Sequence, residues 1–292
     1  MEEQKNSMNI QWYPGHMTKT RRMMEEDLKL VDAVCEILDA RIPISSRNPD
    51  IDAICGKKPR MVILNRIDMA DADLVSRWSN YFKDRGMAVI RTDCKSRKGI
   101  NTFAPAVRQL LAEKLQRYAE KGQVGQPLKL MVVGIPNVGK STFINQIAGR
   151  KGAKAENRPG VTRGKQWVNV DGGLLLLDTP GILWPKFDDP EVGMRLAYTG
   201  AVKDDILDTE TLGCHLMELL AREYPGALTE RYKIEIPAEI DGWELLQAAG
   251  RKRGFLVSGG EVDTERMARV LLEEYRSCKL GTFTLERPEE LA

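Results

Sequence analysis

Paired cysteines, histidines and long apolar runs are scarce in this 292-residue chain. Its five cysteines form no Cys-x-x-Cys pair, and the chain has only two histidines. This composition argues against a zinc site and favours reduced thiols. No apolar run approaches the roughly 18 residues needed to cross a membrane, and the first residues do not resemble a signal peptide. We therefore expect a cytoplasmic protein without a membrane partner.

The chain also has no large excess of one charge, since its 44 Lys and Arg nearly balance its 42 Asp and Glu. The net charge therefore predicts no polyanionic partner by itself. Locally, residues 150–165 carry six cations and one anion, and Arg251-Lys252-Arg253 form a smaller cluster in an expected loop at 250–254. Such clusters suit the phosphate backbone of a nucleic acid, although a solvated loop is an equally good interpretation.

A glycine-rich loop is the most informative feature that is present. The segment Gly134-Ile135-Pro136-Asn137-Val138-Gly139-Lys140-Ser141 follows an apolar run at 128–133 and precedes a helix-like run at 142–147. A strand, a glycine loop and a helix in this order predict a phosphate-binding loop, because its N–H groups point at phosphate oxygens. The predicted nucleotide contacts here are Asn137, Val138, Gly139, Lys140, Ser141 and Thr142. Lys140 would reach the β- and γ-phosphates, and Ser141 would bind Mg²⁺.

A second motif predicts which base is bound. Asn65-Arg66-Ile67-Asp68 ends an apolar strand at 61–64 and is similar to the Asn-Lys-x-Asp guanine motif of GTPases, with Arg66 in place of lysine. The Asp68 carboxylate would accept two hydrogen bonds from guanine, and Arg66 would lie over the purine face. The alternative is a surface loop in which Asp68 caps a helix.

Three further segments complete the expected pocket. Asp93-Cys94-Lys95 follows a strand at 88–91, where GTPases contact guanine O6 through a backbone N–H. Asp178-Thr179-Pro180-Gly181 matches the Asp-x-x-Gly switch, in which Asp178 holds Mg²⁺ through water and Gly181 meets the γ-phosphate. Between the phosphate loop and this switch lies Thr162, a candidate second Mg²⁺ ligand.

The order of these motifs is unusual. In an ordinary GTPase the phosphate loop comes first, whereas here the guanine motif precedes it. Taken cyclically, the five motifs follow the normal succession, so the sequence predicts a circular permutation. The linker at 122–127 would then join the original chain ends.

With this order, two more segments carry a specific resemblance. Tyr13-Pro14-Gly15-His16-Met17 and Asp39-Ala40-Arg41-Ile42-Pro43, the latter followed by Ser45-Ser46-Arg47-Asn48-Pro49, resemble the circularly permuted GTPases of ribosome biogenesis. The closest likeness is to the bacterial ribosome biogenesis GTPase A type. The resemblance implies binding of GTP and GDP with Mg²⁺, and hydrolysis of GTP during late maturation of the large ribosomal subunit. It implies the subunit precursor, with its RNA and proteins, as the partner of a monomeric protein.

The catalytic group is harder to identify. Ile182 stands where Ras-like enzymes carry a glutamine that orients the attacking water. The family resemblance favours His16 as the catalytic residue, and the alternative is a turn histidine that packs or touches RNA. Asn137 is a candidate for holding a K⁺ ion between the phosphates, or else it caps the loop.

Alternating strands and helices predict an α/β fold, a circularly permuted P-loop GTPase domain with a mostly parallel, Rossmann-like sheet. We expect this domain at residues 1–186, including an N-terminal helix and one long helix at 100–119. A small all-helical domain is expected at 187–292, for RNA or ribosome contact or simply as a stabilising cap. Because switch II leads directly into it, loss of the γ-phosphate would be transmitted to this domain.

Two other functions compete with an assembly GTPase. One is a nucleotide-gated RNA-binding module whose hydrolysis is incidental, which Ile182 favours. The other is a P-loop kinase or metabolic ATPase, which would have no use for the guanine motif.

Overall fold

The computed structural model describes residues 17–152, 166–170, 172–179, 189–202 and 208–291. Among these, residues 17–179 and 283–291 belong to one compact unit, the sheet unit, and residues 189–282 to a second, the helical unit. The sequence assigned everything beyond residue 186 to the helical domain. Residues 283–291 instead pack within the sheet unit, through contacts to loops more than 200 residues away in the chain.

A six-stranded sheet organises the sheet unit. Its order is β3-β2-β1-β4-β6-β5, and every neighbouring pair is parallel except β5 and β6. Gly172 and Gly173, both at positive φ, turn the chain between these two antiparallel strands. The strands are β1 Ala33–Asp39, β2 Arg60–Asn65, β3 Ala88–Thr92, β4 Leu128–Gly134, β5 Gln166–Val170 and β6 Leu174–Asp178. The predicted α/β fold with a mostly parallel sheet is therefore confirmed.

Helices cover the sheet because their apolar faces match its buried strands. Met24 and Leu28 of the first helix pack with Met131 of β4, while Trp78 and Phe82 pack against another part of the sheet. The helices are α1 Met17–Leu28, α2 Ile51–Cys55, α3 Ala72–Asp84, α4 Phe103–Leu110, α5 Ala112–Glu120 and α6 Lys140–Gly152.

The single long helix expected at 100–119 is wrong. The segment begins with a 3₁₀ turn at Ile100–Thr102 and continues as α4 and α5, which are separated at Leu111. Leu111 has φ −108° and ψ 24°, outside the helical region, and its side chain is buried. The apolar periodicity continues through the break, so the pattern could not show it.

The helical unit contains α7 Pro190–Tyr198, α8 Thr209–Glu223, α9 Pro225–Tyr232, α10 Gly242–Arg253 and α11 Thr264–Arg276. Four of these helices begin after an aspartate whose side chain accepts a first-turn N–H, which satisfies a group that the helix itself leaves unpaired. The cluster 251–253, expected in a loop, lies in the last turn of α10, where cations suit the helix dipole.

Glu274 is the polar centre of the helical unit. Its buried carboxylate accepts hydrogen bonds from Arg231 at 3.0 Å, Tyr232 at 2.8 Å and Arg253 at 3.0 Å. Burial would raise the pKa of Glu274, but the bonds from Arg231 and Tyr232 and the nearby positive charges lower it below its ordinary value. Within the described residues, no helix is long and apolar enough to cross a membrane.

Candidate nucleotide-binding site

Loops that follow β2, β3, β4 and β6 carry most of the predicted site residues. Asn65 ends β2 and residues 66–68 follow it, residues 93–95 follow β3, the glycine loop joins β4 to α6, and Asp178 ends β6. These four strands are parallel, so their carboxyl ends lie at one edge of the sheet. This edge is where open α/β sheets bind ligands.

The glycine loop has the predicted strand–loop–helix context. Val138 is 1% exposed and anchors the loop, whereas Asn137 has φ 61° and Gly139 has φ 98°. Ser141 and Thr142 are exposed in the first turn of α6. The first N–H groups of that helix therefore remain available to an anion.

Lys140 and Asp178 meet across the sheet edge. The Lys140 ammonium forms an ion pair with the Asp178 carboxylate, because Asp178 lies beside Val132 in the parallel pairing of β4 and β6. The next residue is also fixed, since the Thr179 hydroxyl donates to the carbonyl oxygen of Val132 at 2.7 Å. Lys140, the cation predicted to bind phosphate, and Asp178, the carboxylate predicted to hold Mg²⁺, are therefore in direct contact.

Asn65 joins the glycine loop to the predicted base-binding loops. Its side-chain amide donates to the carbonyl oxygen of Val138 at 2.8 Å. Its amide oxygen accepts from the Thr92 hydroxyl at 3.2 Å and, more weakly, from the Cys94 N–H at 3.4 Å. Asn65 is 2% exposed, so it lies beneath the loops and braces them.

Arg66 extends from the same loop towards the glycine loop. It has φ 62°, donates to the carbonyl oxygen of Asn137, and its Nε lies 3.6 Å from Oδ2 of Asp39. The guanidinium is held by Asn137 and Asp39, but 27% of the Arg66 side chain is exposed and therefore accessible. Such a planar cation is suited to stack on a purine.

Asp68 and Asp93 have opposite electrostatic surroundings. Partial desolvation and the negative charge of Asp93 raise the pKa of Asp68, which is exposed. Desolvation would also raise the pKa of Asp93, but hydrogen bonds from Ser96 and from the Lys95 amide lower it. Cys94 is buried beside them, while Lys95 is exposed.

Asp39 and Arg41 belong to the site, although only their place in the family motif pointed to them. The Asp39 carboxylate accepts from Arg41 Nε at 2.9 Å and Nη2 at 2.7 Å, and both residues are buried. Burial would raise the pKa of Asp39, but the positive charge and hydrogen bonds of Arg41, with the charge of Arg66, lower it. Asp39 therefore stays charged and holds Arg66 near the pocket.

Three predicted site residues lie outside the described residues: His16, Thr162 and Gly181. Most of the basic segment at 150–165 lies outside them as well. The catalytic role of His16, the Mg²⁺ contact of Thr162 and the γ-phosphate contact of Gly181 remain predictions.

A family profile described as "50S ribosome-binding GTPase" matches residues 129–224 of this chain. A protein named ribosome biogenesis GTPase A from Priestia megaterium is 48% identical over 97% of this chain and 98% of its own length. A protein of the same name from Bacillus cereus is 47% identical over 97% and 95%. The crystal structure of GNP-bound YlqF from T. maritima matches with a TM-score of 0.66 and 27% identity, over 93% of this chain and 99% of that one.

Proposed function

Because this chain belongs to the ribosome biogenesis GTPase A family, we propose that it couples GTP hydrolysis to late assembly of the large ribosomal subunit. The GTP-bound protein binds the precursor particle and leaves it after hydrolysis. The observation that carries this function is the bond from Asn65 to Val138, which ties a guanine motif to a phosphate loop across 73 residues of chain. That tie supports one pocket for a guanine nucleotide.

In this pocket each loop has one task. The Asp68 carboxylate accepts the N1–H and 2-amino hydrogens of guanine, and Arg66 covers the purine face. The loop of Asp93, Cys94 and Lys95 offers a backbone N–H to guanine O6. The N–H groups of 137–142 and the Lys140 ammonium hold the phosphates.

Mg²⁺ fits the donors gathered at the sheet edge. The Ser141 hydroxyl, the Thr162 hydroxyl and the Asp178 carboxylate are hard oxygen donors, which Mg²⁺ prefers. Asp178 already faces Lys140, so the carboxylate lies beside the cation assigned to the phosphates. When bound, Mg²⁺ neutralises charge that develops on the phosphate oxygens. Gly181 would sense the γ-phosphate through its N–H.

For hydrolysis we assign His16 as the catalytic residue and Asn137 as a ligand of a K⁺ ion between the phosphates. Ile182 supports both assignments, because isoleucine cannot orient water. The test measures both GTP turnover and nucleotide affinity of His16→Ala and compares them with the wild-type chain. We expect slower turnover with unchanged affinity, and unchanged particle-stimulated turnover would refute the role. Equal rates in K⁺ and Na⁺ would refute the K⁺ site.

The partner is the precursor of the large ribosomal subunit, which the protein meets as a monomer in the cytoplasm. The five cysteines are all free thiols, which suits a reducing compartment. In the helical unit, Arg251 and Lys252 are exposed at the end of α10 and suit an RNA backbone.

Co-sedimentation with purified large-subunit precursors tests the function. We expect the protein to sediment with the particles in the presence of a non-hydrolysable GTP analogue and to stay in solution with GDP. Asp68→Asn is the matched control. The asparagine amide has only one oxygen to accept hydrogen bonds from guanine, so this variant should not respond to the analogue. Equal sedimentation in both nucleotide states would refute GTP-dependent binding. Turnover that particles do not change would favour the RNA-binding module with incidental hydrolysis.

A further inference from the structure

Residues 283–291, here called the C-terminal strap, return to the sheet unit and lie on the loops that follow β1 and β2. Thr284 and Glu286 are 0% and 3% exposed, although they lie within ten residues of the end of this sequence. Polar side chains buried to this extent need specific partners. Those partners belong to the two loops that bear on the proposed guanine site.

The first group of contacts holds the loop after β2. The Phe283 N–H donates to the carbonyl oxygen of Met69 at 3.2 Å, one residue beyond Asp68. The Thr284 hydroxyl accepts from the Asp71 N–H at 3.1 Å and donates to the carbonyl oxygen of Ala40 at 3.1 Å. This hydroxyl therefore links the loop after β2 to the loop after β1.

The second group holds the loop after β1. The Glu286 carboxylate accepts from the Ile44 N–H at 2.6 Å, from the Ser45 N–H at 3.0 Å and from the Ser45 hydroxyl. The Leu285 N–H donates to the carbonyl oxygen of Arg41 at 2.7 Å. Hydrogen bonds to a carboxylate are stronger than neutral ones, so Glu286 is the main anchor.

The anchored loop leads to the base-binding residues. Ser46, next to Ser45, accepts the Asp39 N–H at 3.0 Å, and the Asp39 carboxylate lies 3.6 Å from Arg66 Nε. Arg66 in turn contacts Asn137 of the glycine loop. A continuous set of polar contacts thus runs from Glu286 to the proposed pocket.

We propose that the C-terminal strap is a specificity-determining element, in which Thr284 and Glu286 are positioning residues for Arg66 and Asp68. Neither residue touches the nucleotide. They hold the two loops in the arrangement that reads guanine, and without them the loops spend less time in it. The inference rests on the proposed function, because it requires Asp68 to contact the base.

The expected size follows from populations. If the strap variants leave the competent arrangement about one tenth populated, the apparent Kd for GDP rises about tenfold. Inosine diphosphate lacks the 2-amino group that Asp68 also contacts, so its affinity differs less between the competent arrangement and the others, and its Kd should rise less. The discrimination between GDP and inosine diphosphate therefore shrinks.

The experiment compares Thr284→Val and Glu286→Gln with the wild-type chain by titration calorimetry with both nucleotides. Thr284→Val keeps the shape of the side chain but removes the bridging hydroxyl. Glu289→Gln is the matched control, because Glu289 lies in the same strap but forms an exposed ion pair with Arg77. We expect about a tenfold loss of GDP affinity in the first two variants and none in the control.

Hydrogen exchange on the wild-type chain gives a second measurement that does not depend on a variant folding. If the strap and the base site are coupled, GDP must slow exchange of the Ser45 and Leu285 amides, since coupling is reciprocal. Unchanged exchange, or strap variants that retain wild-type discrimination, would overturn the inference. Asp68→Asn separates the two proposals: if it leaves discrimination intact, the base site itself is wrong.

Discussion

Gly139 gives the sharpest test of how the glycine loop is held. A Cβ added there would lie 2.4 Å from Nδ2 of Asn65, and the residue has φ +98°. Alanine at positive φ costs about 1–2 kcal/mol in backbone strain. The contact also forces the Asn65 amide away from Val138, and that 2.8 Å hydrogen bond is worth about 0.5–1.5 kcal/mol. We expect Gly139→Ala to lower the free energy of unfolding by the sum of these two costs, about 1.5–3.5 kcal/mol.

Gly173→Ala is the matched control for strain alone. Gly173 has φ +78°, belongs to the same unit, and a Cβ there would meet nothing within 4 Å. Its free energy of unfolding should fall by only about 1–2 kcal/mol. Urea denaturation of the nucleotide-free chains measures both values, and calorimetry with GDP should show weaker binding only for Gly139→Ala.

A double variant isolates the contact with Asn65. In Asn65→Ala/Gly139→Ala the side chain that the new Cβ meets is gone, so the costs of the single changes should not add. We expect a coupling of about 1 kcal/mol, within the range for residues in contact. Equal losses in Gly139→Ala and Gly173→Ala, or strict additivity in the double variant, would refute the reasoning.

Three further predictions concern titration and reactivity. Glu274→Gln should lower the free energy of unfolding by about 1–3 kcal/mol. Because the folded-state pKa of Glu274 is lowered, this loss of stability relative to wild type should be complete above pH 4.5, the ordinary pKa of glutamate. It should vanish as the pH falls through the folded-state pKa, which a series of denaturation curves at acidic pH would measure. The pKa of Asp68 is raised by desolvation and in part by Asp93, and the proposed contact with guanine needs the Asp68 carboxylate. GDP affinity should therefore begin to fall at a higher pH than it would with an ordinary aspartate. Asp93→Asn should move that fall to lower pH, and an unmoved titration would contradict the assignment. Burial raises the pKa of the Cys94 thiol to about 11, so iodoacetamide should label it slowly at pH 8, and GDP should slow the reaction further without affecting Cys214; equal protection of both thiols would argue against a local effect.

Much of the fold could be predicted because its signals are local. Most strands of the sheet are short apolar runs, and the glycine loop contains its own strand–loop–helix context within about twenty residues. The helix break at Leu111 was missed for the same reason, since an apolar residue fits either a continuous helix or a buried junction. Local pattern predicts which element forms more reliably than where it ends.

For the site, the residue types could be predicted from the sequence, but the contacts between them could not. Asn65, Lys140 and Asp178 were predicted from motifs, because binding of phosphate and guanine demands those residue types. How they meet was not available from spacing: Asn65 reaches Val138 over 73 residues, and Lys140 reaches Asp178 over 38. Asp39 was visible only as part of a family motif, and its contact with Arg66 needed the structure.

By itself, the sequence determined the nucleotide chemistry, because each motif is a contiguous run of residues. It also determined the permuted order, because that is the order of the motifs along the chain. Only the tertiary structure showed that Glu286 holds Ile44 across 242 residues, and that the end of the chain belongs with the sheet. A glutamate near a chain end carries no local mark of burial. Its partners are decided by how distant segments pack, and the physical cost of burying a charge requires that such partners exist.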